Sequence, residues 1–128
     1  GLRNLASEKL LTNEDVSSLG NAKRLPVVTA MTCAAGQFSR PGKTDLAEAL
    51  VLEQRGGAVA MWSPTADSYN AEAKILDQAF FRLAFEHREE RLGDVVLSAL
   101  RQYEDEGGSM PYTRDIYAIL GDPALRLR

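Results

Sequence analysis

Two short apolar runs, residues 25–32 and 58–62, stand on either side of a segment with helical periodicity, and this alternation restricts the fold more than any other feature. Val27, Val28 and Thr29 give the first run the β-branched content of a buried strand, and Val59, Met61 and Trp62 give the second an unbroken apolar character. Between them, Asp45 and Glu48 have the spacing of a capping box, which predicts a helix through Ala47, Leu50, Val51 and Leu52. The pair Gly56-Gly57 is expected to stop it, since glycine tolerates the left-handed conformation that ends helices. Strand, helix, strand is the grammar of parallel pairing, because parallel neighbours need a long crossover.

The pattern continues past Ser63-Pro64. Ile75, Leu76, Ala79, Phe80 and Leu83 mark one face of a long helix, which the charged stretch His87, Arg88, Glu89 and Glu90 interrupts. A second amphipathic helix follows through Leu92, Val95, Val96, Ala99, Leu100 and Tyr103. Residues 104–110, with Gly107-Gly108, read as a surface loop, residues 116–120 as an apolar segment, Gly121-Asp122-Pro123 as a tight turn, and residues 124–128 as a last short strand. Near the start, Asn13 is expected to cap a short helix reaching Leu19, with Glu14 and Asp15 in its first turn. The fold class is therefore α/β: a partial three-layer αβα sandwich on a mostly parallel sheet. Two or three strands are too few for a complete sheet of this kind, so residues 1–128 are expected to form the C-terminal part of a larger domain.

Bulk properties exclude several functions. A net charge of −3 gives no electrostatic case for nucleic acid or an anionic membrane. No run approaches the ~18 apolar residues that a membrane span requires. One cysteine rules out an internal disulfide framework, and one cysteine with one histidine offers no metal-ligand spacing. Gly56-Gly57 and Gly107-Gly108 match no phosphate-binding loop, and no cofactor is implied. The chain begins at Gly1 without an initiator methionine, so a missing leader says nothing about location.

Cys33, the single cysteine, comes directly after the first strand. A residue at the carboxyl end of a parallel strand faces the crevice in which open α/β sheets hold ligands. A thiol there acts as a nucleophile if a neighbouring base or dipole stabilises its thiolate, and otherwise it is a buried, inert side chain. His87 is the only candidate base in the chain. Its place near a helix end is that of a surface residue, and catalysis would require that end to meet the carboxyl edge of the sheet.

Three segments, in order, carry a resemblance. Leu19-Gly20-Asn21, Arg24 to Val28 and Thr32-Cys33-Ala34-Ala35-Gly36-Gln37-Phe38 resemble the strand and nucleophile segment of gingipain-type cysteine peptidases, whose fold is related to that of caspases. Leu46 to Leu50 with Gly56 to Ala60 is similar to the next helix and strand, and Ile119 to Leu127 to the closing signature. The resemblance implies a thiol endopeptidase working through a Cys-His dyad, with Cys33 as nucleophile and its backbone N–H in the oxyanion hole. It also implies that Met31, Trp62, Ser63 and Pro64 line a specificity pocket, with a plain core or interface aromatic as the alternative for Trp62. The family's histidine lies in a His-Gly motif one strand before the cysteine. Gly1 to Leu5 resembles the family's residues immediately after that motif, so the base is expected upstream of Gly1. Protein or peptide substrates, the missing N-terminal part of the domain as a partner, and a secreted or surface location in a bacterium are implied in the same way. Two other readings stay open: a peptidase-like fold used only for binding or scaffolding, and an unrelated α/β hydrolase or transferase that pairs Cys33 with another base.

Overall fold

The computed structural model describes residues 11–87 and 89–127. β1 (Val27–Thr29) runs parallel to β2 (Ala60–Pro64), and β3 (Tyr117–Gly121) lies antiparallel on the other side of β2. All five residues of β2 are buried, which makes it the central strand of the three described. Strand side chains alternate between faces, and here each face has its own core. Val27, Ala60, Trp62 and Ile119 pack with α3 (Asn70–Phe85) and α4 (Leu92–Gln102) through Leu76, Phe80, Leu83, Val95 and Ala99. Val28, Met61 and Leu120 pack on the opposite side with α1 (Asn13–Val16) and α2 (Leu46–Leu52) through Val16, Leu46 and Leu50. The result is the three-layer αβα arrangement expected from the sequence.

The local signals hold in part. The Glu48 N–H donates to Asp45 Oδ1 at 3.0 Å, and the Asp45 N–H donates to Glu48 at 3.2 Å, so the capping box starts α2 as its spacing requires. At the first helix the cap is Thr12 rather than Asn13: the Thr12 hydroxyl and N–H both donate to Asp15 Oδ2, at 2.7 and 2.8 Å. α2 ends at Leu52, short of Gly56-Gly57. Gly57 serves the return to the sheet instead, at φ +88 with its N–H held by Asn21 Oδ1 at 2.8 Å. The second strand includes Ser63 and Pro64, which the sequence pattern marks as a breaker. Pro64 is the last residue of the strand, where one missing donor is tolerated, and its carbonyl accepts the Gly36 N–H at 3.0 Å.

The C-terminal third departs further. α5 (Pro111–Ile116) is an unexpected short helix with proline in its first turn, and it runs straight into β3. This junction puts Tyr117 opposite Pro64, at the carboxyl end of β2, so β3 can only run back down the sheet. One of the two described strand pairs is therefore antiparallel, where a mostly parallel sheet was expected. Residues 124–127 form no strand; Arg126 makes a single antiparallel bridge to Arg91. The expectation for residues 1–10 lies outside the described residues.

Candidate active site

The chain leaving β1 stays tied to β2. The Ala30 N–H donates to the Trp62 carbonyl at 2.9 Å, the Ala34 N–H to Ala66 at 2.9 Å, and the Gly36 N–H to Pro64 at 3.0 Å. The turn between them contains Ala34 at φ 50, a left-handed conformation unusual outside glycine. It lifts Cys33 out of the interior: its neighbours Ala34 and Ala35 are buried, while Cys33 is exposed. Gly36 is needed for the close approach, because a Cβ there would sit 2.4 Å from Ser63 Oγ. Among the described residues, the Cys33 N–H meets no backbone acceptor, unlike those of Ala34 and Gly36.

The Cys33 thiol donates to the Ser68 carbonyl at 3.2 Å, which brings in the loop between β2 and α3. Ser68 Oγ in turn lies 2.9 Å from the Tyr117 hydroxyl, at the start of β3. A cleft of about 870 Å³ opens beside the thiol, between Asp67, Ser68 and Tyr69 on one side and Ser109, Met110, Pro111 and Tyr112 on the other. Among the described residues, the lining of this cleft thus gathers an exposed thiol, the side chains of Tyr69 and Tyr112, and one carboxylate, Asp67. A second groove of about 530 Å³ runs along the β1 edge between Leu25, Val27, Phe81 and Phe85. It is mainly apolar, and among the described residues that line it Arg126 is the one charged side chain and no thiol is present.

Burial pushes the Tyr117 hydroxyl up to about 12, and negative charge at Cys33 and Asp77 adds to this, while the Ser68 hydrogen bond opposes it. Since its pKa is raised above the ordinary 10.0, neutral Tyr117 stabilises the fold fully below pH 10 and loses that contribution as pH rises through about 12. Tyr117→Phe is expected to lose less stability than the parent across that window in alkaline unfolding. Equal losses would show that the hydroxyl is not buried as described.

The other sequence-derived residues are placed differently. Met31 is half-buried and packs against the core that holds α3 and α4. Trp62 is 0 % exposed, its ring stacked on Phe80 at 5.3 Å and edge-on to Tyr117 at 5.6 Å. Ser63 and Pro64 are also fully buried. His87 is exposed just beyond the C-terminal end of α3, whereas Tyr69, at the other end, lines the cleft. Sixteen residues at ~1.5 Å each separate the two ends by about 24 Å, too far for proton transfer. Sequence reasoning does not find Ser68, Tyr69, Tyr117 or the wall at 109–112; Pro111, suited to a first helical turn, is the one local signal of that wall. Among the described residues no group of three or more histidine, cysteine, aspartate or glutamate side chains could hold a metal, and no helix is long and apolar enough to cross a membrane.

The family model for peptidase family C25 matches residues 1–128. Among solved structures, the Arg-specific cysteine proteinase gingipain R (RgpB) is similar with a TM-score of 0.89 and 22% identity, over 100% of this chain and 32% of that one. A structure described simply as a protease gives 0.83 and 15%, over 98% of this chain and 33% of the other. The complex of Porphyromonas gingivalis RgpB pro- and mature domains gives 0.78 and 21%, over 100% and 32%. At these identities the structural likeness is one of fold, and the chain spans about a third of the length of the structures it matches. A search of curated proteins finds no match.

Proposed function

The chain belongs to peptidase family C25, and from that premise we propose that it supplies the nucleophile part of a cysteine endopeptidase. Cys33 attacks the scissile carbonyl carbon as thiolate, forming the C–S bond while the carbonyl π electrons move to oxygen. The Cys33 N–H donates to that developing oxyanion. Collapse of the tetrahedral intermediate breaks the C–N bond, and a base from outside the described residues, a histidine by resemblance, delivers the proton to the leaving amine. Water then hydrolyses the thioester and regenerates the thiol. One observation carries the reading: the only thiol of the chain is exposed at the carboxyl end of β1, beside a cleft large enough for a side chain. In the resting arrangement the thiol donates to Ser68, so it must turn from that carbonyl before it can attack.

Protein or peptide substrates, completion of the domain by further sequence, and secretion or display at a bacterial surface belong to the same proposal and rest on the family. The purified 128-residue chain is expected to turn over no peptide, because thiolate and leaving amine both lack a proton partner. Hydrolysis by this chain that Cys33→Ala abolishes would point to a base within it. His87→Ala in a longer protein carrying the upstream sequence is expected to keep activity within about 3-fold, whereas a loss of ~10³ would make His87 the base. The second reading is a peptidase-like fold used for binding or scaffolding without cleavage. A well-folded longer protein with an accessible thiol and no peptidase activity would decide for it.

A further inference from the structure

Glu72 is a buried carboxylate, 8% exposed, for which the proposed chemistry has no use. It stands in the first turn of α3, where a glutamate ordinarily reaches back to its own helix end. Here it reaches instead to a segment 37 residues away. Ser109 Oγ donates to Glu72 Oε1 at 2.9 Å, and the Ser109 N–H donates to Oε2 at 3.1 Å. The buried Tyr103 hydroxyl donates to the same Oε2, accepts the Met110 N–H at 3.2 Å, and lies 3.1 Å from the Met110 carbonyl. Gly108 lets the segment cross the Tyr103 ring, since a Cβ there would lie 2.4 Å from the ring carbons. Donation from Tyr103 and then from Ser109 keeps the Glu72 carboxyl below its usual range despite burial.

Ser109 and Met110 begin the wall of the cleft that faces Cys33. We propose that Glu72 is a positioning residue for peptide binding: it fixes the Ser109–Met110 segment, so that its loss weakens binding of the peptide and spares the thiol chemistry. The proposal rests on the reading of this cleft as a peptide site. A carboxylate is suited to the task because it accepts three donors at once, whereas an amide in its place turns a donor toward one of them. Tyr103 passes the constraint on to Met110, and α5 begins directly after it.

The test uses a longer protein that includes the upstream sequence, with fluorescently labelled casein as substrate. Glu72→Gln is expected to raise KM by ~10-fold with kcat within ~3-fold, and to leave iodoacetamide alkylation of Cys33 within ~2-fold. Hydrogen exchange at the Ser109 and Met110 amides is expected to quicken by ~10-fold or more. Ser109→Ala, at an exposed position outside the core, is expected to raise KM by ~3-fold and serves if Glu72→Gln does not fold. Unchanged KM in the folded variant, or a fall in kcat with KM unaltered, overturns the proposal. If the parent leaves casein intact, the peptidase reading fails on its own account. Exchange then decides the clamp separately, and unchanged protection in Glu72→Gln overturns it.

Discussion

Cys33→Ala is expected to lower peptide cleavage by at least ~10⁴-fold in a protein that carries the upstream sequence, while leaving the fold intact. The two halves of this expectation have separate causes. In the proposed mechanism the sulfur is the atom that bonds to the substrate, so no neighbouring group replaces it. The side chain is exposed, and its one hydrogen bond goes to the Ser68 carbonyl, which faces solvent-accessible space once the thiol is gone. Substitution at such a position should change unfolding free energy by no more than about 0.5 kcal/mol. Retained cleavage in the alanine variant would remove Cys33 from the chemistry. Lost cleavage with a large loss of stability would leave its role undecided between nucleophile and structural thiol, so both quantities should be measured on the same preparation.

Gly57→Ala is expected to be the most damaging small substitution for stability. Gly57 lies at φ +88, and a Cβ there would sit 2.0 Å from the Leu50 carbonyl oxygen, a backbone atom of α2. The same residue is clamped on both sides by Asn21, which accepts its N–H at 2.8 Å and donates to its carbonyl at 2.9 Å. The turn therefore cannot relax without moving either α2 or the approach to β2. A left-handed alanine costs roughly 1–2 kcal/mol, and forcing atoms into filled space a further 1–3, so a loss of about 3 kcal/mol is expected. Gly107→Ala supplies the control, because φ is +95 there and nothing lies within 4 Å of the added Cβ. It should cost only the conformational part, about 1 kcal/mol. Equal losses at the two positions in denaturant unfolding would contradict the packing argument.

Several features set by neighbours in sequence are readable in the chain, though the first helix is capped by Thr12 rather than Asn13, and those set by distant neighbours are not. The Asp45–Glu48 capping box needs only a three-residue spacing, and alternation along 60–62 assigns Trp62 and Met61 to opposite cores once β2 is central. The place of Cys33 just after the first strand is readable because the end of a strand is a local event. The direction of β3 is different: it depends on α5 delivering Tyr117 to Pro64, and nothing within 117–121 encodes that pairing. The cleft wall is similarly remote, since Ser109 hydrogen-bonds to Glu72, 37 residues away in the chain. Trp62 illustrates a further limit. Apolar character at a strand end fits both a pocket and a core, and its neighbours Phe80 and Tyr117, far along the chain, fill the space around its ring.

The central claim is that Cys33 attacks a peptide carbonyl in the folded protein. Treatment of the longer protein with a peptidyl acyloxymethyl ketone, followed by peptide mapping, tests this most directly because the reagent combines peptide recognition with capture of a thiolate. The account predicts stoichiometric modification of Cys33 under native conditions, prevented by prior alkylation with iodoacetamide. Labelling of Cys33 only after denaturation, with the native protein left unmodified, would contradict it.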